Sequence, residues 1–595
     1  MPRNLNNITQ TNGYTITKPN IKQEWSSIYM AKTNQGTGNC GKIIPVYTRE
    51  LIPGQTIDLQ QDVAIQFTPF LTNLFHEIKG ELITYFVPYR ICAFMRDTEE
   101  IDGEIKEEAD QLKWESYITG GKNGRDNNTL PYKYWGQMLE RAKNAGHSLT
   151  HTLMDYFGMP IHQMTGTGGT SNDSTVNCLP FNAYNLIYNT KLRNPDFTPW
   201  KQMIMSGTNA EREFNAYSVA TAYWNADRFT RARAMQQRGI APNIPINSTL
   251  IELAHELTSQ AVRDEINARK NIAEISSSGL SNNEPGITIT TNDNKATFTQ
   301  YGADTAGGGA SGFYGNKSEL TIAKHQIEAG TITAQLNLNE FLYDLGILQY
   351  EANMARIKPR YTDFLNSQFG IIPEDSRFQE PEWLSSNSFA IGIDTNQATA
   401  TGSATISSET VTTRQGEITS QAWGGGQKMK TKYKALEHGL VMTLMIIRPM
   451  GVYEGGLERF WEGKRTRFSF PLPETVNLPD QEITHGELHF TGVVSEDTKL
   501  FGWETIHDQY RTETNQVCGL LRPSEQNGLA SYTLARYFAD GIEGTIDDAF
   551  LKCNPNMERI KQYTNQPDFI FFVRTENRTA MPIPLINQPI NLGIN

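Results

Sequence analysis

Residues 81–94, ELITYFVPYRICAF, contain the segment that indicates the fold most directly. Residues 83–87 place β-branched and aromatic side chains on both faces of an extended segment, and Pro88 ends it. A short apolar run ended by a proline, whose nitrogen cannot donate to a β-ladder, is typical of a buried strand. We therefore predict a strand that packs between the two sheets of a β-sandwich.

Further strand-like segments lie toward both ends of the chain. A first block covers residues 42–94, where Pro53 and Gly54 indicate a turn. From residue 388 onward short strands return, in the segments FAIGI (389–393), ATISSETVTT (404–413), GLVMTLMIIRP (439–449), ELHFTG (487–492) and FIFFVRT (569–575). Strands at both ends of a chain with a helical middle predict a mainly β fold, a single sandwich with long helical and loop insertions.

The middle of the chain changes to helical patterns and polar tracts. Helices are predicted at 134–146, at 149–157 with Ser148 as its cap, and at 248–275. Residues 276–318 are too polar to form a core, which predicts an exposed loop or a surface protrusion. A further helix follows, broken near residue 359, with Phe341, Leu345, Leu348, Ala352 and Ala355 on its apolar face.

Charge and cysteine usage limit the class of protein. The 595 residues carry a net charge of −12, which argues against a general polyanion binder, because such domains are usually basic. The five cysteines are odd in number and form no CxxC pair, so we expect reduced thiols and synthesis in a cytoplasm. No apolar run is long enough for a signal peptide or a membrane span, so no membrane insertion is expected.

The sequence matches none of the tested motifs for catalysis, cofactor binding or metal binding. GGGASGF (307–313) and AWGGGQKMKT (422–431) fail the nucleophile-elbow and phosphate-loop patterns and indicate loop glycines. The acidic run 96–110 lacks carboxylates where a calcium loop needs them. His147, His151 and His162 have no suitably spaced acidic or cysteine ligand beside them. We therefore predict no catalytic, cofactor-binding or metal-binding residues.

One compact basic cluster stands next to an aromatic residue in KRTRFSF (464–470). Its candidate DNA-facing residues are Lys464, Arg465, Arg467 and Phe468. Arginine and lysine contact phosphates, while aromatic rings stack on unpaired bases. Intersubunit or surface ion pairs are the alternative interpretation of the same residues.

The order of several segments resembles one family, the major capsid proteins of the Microviridae, and especially their gokushovirus-type members. The segments that carry the resemblance are IPVYTRELIPGQTIDL (44–59), LITYFVPYR (82–90), LPFNAYNLIYN (179–189), WNADRFTRARAMQQRG (224–239), ILQYEANMARIKPRYTDFLNSQFG (347–370), EDSRFQEPEWL (374–384), EHGLVMTLMIIRP (437–449), GLERFWEGKRTRFSF (456–470), KLFGWETIHDQYR (499–511) and RTAMPIPL (578–585). Because this ordered set spans nearly the whole chain, it is far more specific than any single segment.

The resemblance implies an eight-stranded antiparallel jelly roll that serves as one tile of a T=1 icosahedral shell. The implied shell encloses a circular single-stranded DNA genome, is built from pentamers of the chain, and belongs to a virion made in a bacterial cytoplasm. A host surface receptor is an implied partner. The expected regions are an N-terminal arm (1–41), first jelly-roll strands (42–95), a helical and loop insertion (96–240), a surface protrusion (241–333), and a helix with the remaining strands and a C-terminal arm (334–595).

The net charge of the chain also bears on the partners of such a shell. About 60 copies of a chain with net charge −12 would not neutralise DNA, so a small basic internal protein is expected as a partner.

The alternative class is a jelly-roll carbohydrate-binding protein, adhesin or glycosidase, which would also be acidic and aromatic and could hold a carboxylate pair. Such a protein would form small oligomers, whereas a capsid protein forms shells or pentamers.

Overall fold

One eight-stranded antiparallel sheet dominates the structure, a computed structural model of the chain. The structure describes residues 25–92, 132–135, 138, 148–161, 174–204, 216–239, 287–291, 294–298, 338–357, 366–367, 380–397, 401–406, 409–413, 418–463, 465–473, 480–525, 527–538 and 541–583. The predicted helix at 248–275, most of the predicted helix at 134–146 and the acidic run 96–110 lie outside these residues.

The strands of the described part are numbered in chain order. They are β1 (Ser26–Gly38), β2 (Ile43–Leu51), β3 (Thr56–Phe67), β4 (Ile78–Pro88), β5 (Tyr132–Tyr134), β6 (Thr175–Asn177), β7 (Ile287–Thr291), β8 (Asn294–Phe298), β9 (Glu382–Gln397), β10 (Gly402–Ile406), β11 (Glu409–Thr413), β12 (Ile418–Lys434), β13 (Gly439–Pro449), β14 (Gln481–Thr484), β15 (Leu500–Glu504) and β16 (Phe569–Met581).

The helices of the described part are mostly short. They are α1 (Tyr89–Cys92), α2 (Leu153–Tyr156), α3 (Leu179–Ile187), α4 (Leu338–Ala355), α5 (His485–Leu488), α6 (Val494–Asp497) and α7 (Asp548–Leu551). A π-helix (Tyr188–Leu192) continues α3, and 3₁₀ turns occur at Arg459–Trp461, Arg467–Ser469, Asp508–Tyr510, Gly519–Leu521, Ala530–Tyr532 and Met557–Arg559.

The main sheet has the nested pairing of a jelly roll. Its strand order is β1-β16-β3-β12-β9-β4-β13-β2, so β1 pairs with β16, β2 with β13, β3 with β12 and β4 with β9. Such nesting arises when one long antiparallel ribbon folds over on itself into two four-stranded sheets. Asn34 of β1 donates a hydrogen bond to the carbonyl of Val46 in β2 at 3.0 Å, so the two edge strands nearly close the barrel. The predicted eight-stranded antiparallel jelly roll is confirmed.

The strand β4 is buried on both faces, as the sequence predicts, but for a different reason. Ile78 and Leu82 point into the sandwich interior, whereas Ile83, Tyr85 and Val87 belong to a separate cluster with α3. Successive side chains of a strand point to opposite faces, so the two clusters lie on opposite sides of the sheet. The prediction that both faces pack between two sheets was wrong, because one face is covered by a helix of the insertion.

A band of polar side chains crosses the sandwich interior. Gln61 Nε2 donates to Thr443 Oγ1 at 3.3 Å and to Thr575 Oγ1 at 3.2 Å, and the hydroxyls of Thr443 and Thr84 lie 3.1 Å apart. On β3, β4 and β13 this band separates the two apolar clusters of the interior. Buried polar groups are stable there because each finds a hydrogen-bond partner.

Several predicted elements differ in detail. ELHFTG was predicted as a strand, but residues 485–488 form α5, which begins with a capping box between Thr484 and Glu487. The predicted helix at 149–157 shortens to α2, whose N-cap is Thr152 and not Ser148. ATISSETVTT forms the hairpin of β10 with β11, and β7 pairs with β8 inside the polar tract 276–318.

The chain divides into two compact units, residues 1–236 with 354–595, and residues 237–353. The first unit contains the jelly roll. The strand β1 lies within the segment predicted as an N-terminal arm. In the second unit, the backbone N–H of Arg238 donates to the carbonyl of Glu351 in α4. The predicted boundaries of the arm, insertions and protrusion stay predictions.

Candidate assembly surface

An exposed aromatic pair lies in the long connection between β13 and β16. The 3₁₀ turn at Arg459–Trp461 presents Phe460 at 68% and Trp461 at 67% exposure, with their rings in edge-to-face contact at 5.0 Å between centroids. Two neighbouring aromatic side chains that pack on each other and not on the core form an apolar patch. Such patches on a soluble chain usually mark a contact with another molecule.

The same turn is anchored to the body of the subunit by Arg459. Its Nε donates to Glu487 Oε1 at 2.9 Å, and its Nη2 donates to the carbonyl of Glu482. Glu487 in turn accepts at Oε2 from Arg228, 2.5 Å away. Ion pairs therefore fix the base of this turn, and the turn exposes Phe460 and Trp461 to solvent.

Arg228 is the centre of this anchor. It is only 4% exposed and makes a two-pronged contact with Glu504, with Nε to Oε2 at 2.8 Å and Nη2 to Oε1 at 2.6 Å. Burial acts to lower the pKa of Arg228, but the carboxylates of Glu504 and Glu487 outweigh burial and raise this pKa above its ordinary value. The guanidinium therefore stays charged, and its planar fork matches the carboxylate geometry.

The predicted basic cluster lies next to this turn in sequence. The guanidinium of Arg465 lies 4.6 Å from the centroid of the Phe470 ring, and its Nη2 donates to the Tyr510 hydroxyl at 3.1 Å. Arg467 is exposed at the start of the 3₁₀ turn Arg467–Ser469. Lys464 and the side chain of Phe468 lie outside the described residues. The structure thus places Arg465 in a cation–π contact with Phe470 and in a hydrogen bond with Tyr510.

We define the assembly surface as residues 459–461, 465–470 and Tyr510. Sequence analysis identified its basic residues but missed Phe460 and Trp461, although GLERFWEG places two large aromatics between charged residues. This pattern could have identified the pair, because aromatic residues between charged neighbours do not belong to an apolar run. Arg228 was also missed, because its partners Glu487 and Glu504 are distant in sequence.

A second group of exposed apolar side chains occurs on α4. Tyr343 is 70% exposed, and Leu342, Leu345 and Tyr350 are also exposed. The predicted apolar helix is confirmed at 338–355, yet Leu345 of its apolar face is exposed and Ala355 is buried. A helix with exposed leucine and tyrosine side chains is suited to contact another surface.

The buried cysteines and the histidines of the described residues take part in packing and hydrogen bonds. Burial raises the pKa of the Cys178 and Cys553 thiols to about 12, so they stay protonated and are poor nucleophiles. Within the described part of the chain no three potential ligands converge on a metal site, and His151 instead hydrogen-bonds to Thr37. His147 and His162 lie outside the described residues. No described helix has the length and apolarity needed to cross a membrane.

The jelly roll is a fold that viral shell subunits share with lectins and other proteins, so the class of this chain is decided by comparison with known proteins. The family model described as "Capsid protein (F protein)" matches residues 19–591. The chain belongs to this family of phage capsid proteins, and it is therefore a virion structural protein and not an enzyme.

Three relatives are each described as "Capsid protein VP1". The protein of Bdellovibrio phage phiMH2K is 24% identical over 89% of this chain and 87% of its own length. The protein of Chlamydia phage 1 is 22% identical over 92% of both chains, and that of Spiroplasma virus 4 is 21% identical over 93% of this chain and 92% of its own. The resemblance to Microviridae capsid proteins is confirmed.

Proposed function

We propose that the chain assembles through pentamers into a T=1 shell of about 60 copies that encloses a circular single-stranded DNA genome. The observation that carries the proposal is the assembly surface, where Phe460 and Trp461 are exposed on a turn fixed by Arg459. An aromatic pair held rigidly in solvent fits the pattern of residues that dominate protein–protein contacts.

The basic residues beside that pair support a role in holding DNA. In this proposal Lys464, Arg465, Arg467 and Phe468 contact the genome, with arginines at phosphates and aromatic rings against unpaired bases. A small basic internal protein supplies most of the neutralising charge, because the chain itself is acidic. These contacts require no particular base sequence.

Host attachment is assigned to the segment 241–333, the proposed surface protrusion. Its tract 276–318 is polar and rich in glycine, serine, threonine and asparagine. Surface loops of this composition tolerate change and carry recognition. Particles with this tract shortened are expected to remain closed but to bind host cells poorly, and a loss of folding on shortening would contradict the assignment.

The assembly role is tested with the double substitution Phe460→Ser and Trp461→Ser. Both side chains are exposed, so the unfolding midpoint should change little, whereas particle formation should be lost because the contact surface is removed. Leu436→Ser is the control, since Leu436 is a single exposed residue in the turn between β12 and β13. Sedimentation and electron microscopy measure the outcome. Normal particles from the double variant would exclude these residues from subunit contacts.

A further inference from the structure

A second exposed apolar surface lies on the first unit and is separate in sequence from the turn at 459–461. The connection between β3 and β4 contributes Leu71 and Phe75, and the connection between β15 and β16 contributes Leu520, Leu529 and the half-buried Tyr532. Phe75 is 67% exposed and Leu520 is 59% exposed. We call these five residues the Phe75 surface. Apolar side chains grouped in this way on a protein surface mark a contact with another molecule.

Backbone hydrogen bonds hold the segments of the Phe75 surface side by side. The N–H of Phe75 donates to the carbonyl of Tyr532 at 2.7 Å, and the two rings stack with their centroids 6.4 Å apart. The N–H of Leu529 donates to the carbonyl of Leu520 at 2.6 Å, and the N–H of Tyr532 donates to the carbonyl of Leu529 at 3.0 Å. The surface is therefore ordered before a partner binds, which lowers the entropic cost of a contact.

Buried neighbours anchor the connection between β3 and β4 beneath this surface. Phe70 and Leu74 are buried in the apolar interior of the sandwich. The next residue after the exposed phenylalanine, His76, is also buried, and its Nε2 donates to the carbonyl of Met450 at 2.8 Å. The two exposed residues of this connection are thus side chains that the fold leaves outside a well-packed base.

The segments that form the Phe75 surface carry no charged side chains. Residues 68–76, 518–521 and 527–535 contain no Asp, Glu, Lys or Arg, although 20% of the residues of the chain are charged. The assembly surface, by contrast, includes Arg459 and Arg465. An uncharged apolar surface offers no partner to a phosphate group or to a basic protein, because both are recognised by opposite charge. The surface therefore fits a partner that is itself apolar and uncharged.

A closed shell of identical subunits needs more than one kind of contact. Head-to-tail contacts around one axis close a ring, so a further contact has to join one ring to the next. A twofold contact uses the same patch on both subunits, and each residue close to the axis therefore meets its own copy. Charged residues at that position would face like charges, whereas uncharged apolar residues pack against themselves without repulsion.

We propose that the Phe75 surface of one subunit packs on the Phe75 surface of a second copy across a twofold axis, and that this contact joins pentamers into the shell. The proposal rests on the proposed function, in which the chain assembles through pentamers. It adds a contact surface that is distinct from the assembly surface at 459–470, and it assigns the symmetry of that contact.

The first test is the double substitution Phe75→Ser and Leu529→Ser in the full chain. Both side chains are exposed, so the unfolding midpoint should change little. Sedimentation and electron microscopy should show pentamers without closed shells, because only the contact between pentamers is removed. Leu436→Ser is the matched control and should form shells, since Leu436 is exposed in the turn between β12 and β13. Closed shells in normal yield from the double variant would overturn the proposal.

Cross-linking tests the symmetry of the contact with the rest of the surface intact. Phe75→Cys and Leu529→Cys are each placed in a Cys518→Ser chain, because Cys518 is exposed and the other described cysteines are buried. Diamide oxidises two facing thiols to a disulfide and takes up their two electrons and two protons. Denaturing gels of treated particles should show covalent dimers, because identical residues meet across a twofold axis. Leu436→Cys in the same background should stay monomeric on the gel, and monomers from both surface variants would refute the twofold contact.

Assembled particles separate this inference from the proposed function. If closed shells form and cryo-electron microscopy shows the Phe75 surface in solvent, or covered by a different surface or a different protein, the twofold contact is wrong while the shell function stands. If Leu529→Cys gives covalent dimers but the chain never forms closed shells, the twofold contact stands and the shell function is wrong. The two proposals therefore fail on different measurements.

Discussion

Arg228 is the residue on which the exposed aromatic turn depends. Its guanidinium forms ion pairs with both Glu487 and Glu504 inside the subunit, and Glu487 also pairs with Arg459 at the base of the aromatic turn, so two arginines balance two glutamates. Because a buried charge without its partner costs several kcal/mol, these groups are stable only as a set. The exposed Phe460 and Trp461 thus depend on buried ionic contacts that are distant from them in sequence.

Arg228→Met is expected to lower the free energy of unfolding by about 3–5 kcal/mol, because it leaves Glu504 buried without its ion-pair partner and Glu487 paired with Arg459 alone. Arg231→Met is the control, since Arg231 is exposed three residues away and its loss should change stability by no more than about 0.5 kcal/mol. Urea denaturation of both variants measures the difference. A small effect of Arg228→Met would show that the two glutamates are adequately solvated without it.

The helix α3 covers the outer face of one sheet of the sandwich. The outer faces of β4 and β13 supply Tyr85 and Leu444 to the cluster that contains Leu186 of that helix. Residues 179–187 are therefore part of the folded core. By contrast, α4 presents leucine and tyrosine side chains to solvent.

A matched pair of leucine substitutions distinguishes these two helices. Leu186→Ala, in the covered helix α3, should lower the free energy of unfolding by about 2–5 kcal/mol through lost packing and a residual cavity. Leu345→Ala, on the exposed face of α4, should leave stability within about 0.5 kcal/mol but reduce particle yield. Thermal unfolding and sedimentation are measured on both. Equal destabilisation by the two substitutions would mean that α4 is also a core helix.

The sequence predicted the elements that have strong local patterns. Residues 83–87, 439–449 and 569–575 combine β-branched and aromatic residues, and all three are strands. β12 was missed because its three consecutive glycines, Gly424 to Gly426, were interpreted as loop glycines, whereas its strand character comes from pairing with β3 and β9. ELHFTG was wrong because the capping box at Thr484 overrides its short apolar pattern.

The candidate site was harder to predict than the fold. The basic residues at 464–467 form a visible run in the sequence, but the anchor at Arg228 joins segments that are far apart in the sequence. Hydrophobic periodicity does not report such long-range polar contacts, because it records only which face of an element is buried. The polar band of Gln61, Thr84, Thr443 and Thr575 was missed for the same reason.

The net charge of the whole molecule constrains how the proposed shell could hold a DNA genome. About 60 copies with a net charge of −12 carry roughly −720 in total, which adds to the negative charge of the DNA. In the proposed function, local basic residues such as Arg465 position a strand but do not neutralise it. Shells made from this chain alone are therefore expected to be empty, with DNA retained only when a basic protein is present.

The decisive experiment for the proposed T=1 shell determines the structure and the nucleic acid content of particles formed by the recombinant chain alone. Cryo-electron microscopy with particle mass and ultraviolet absorbance should show closed icosahedral shells of 60 subunits, with Phe460 and Trp461 buried between neighbours and no packaged DNA. Small oligomers without closed particles, or a closed particle with a different number of subunits, would contradict the central claim that this chain builds a T=1 shell.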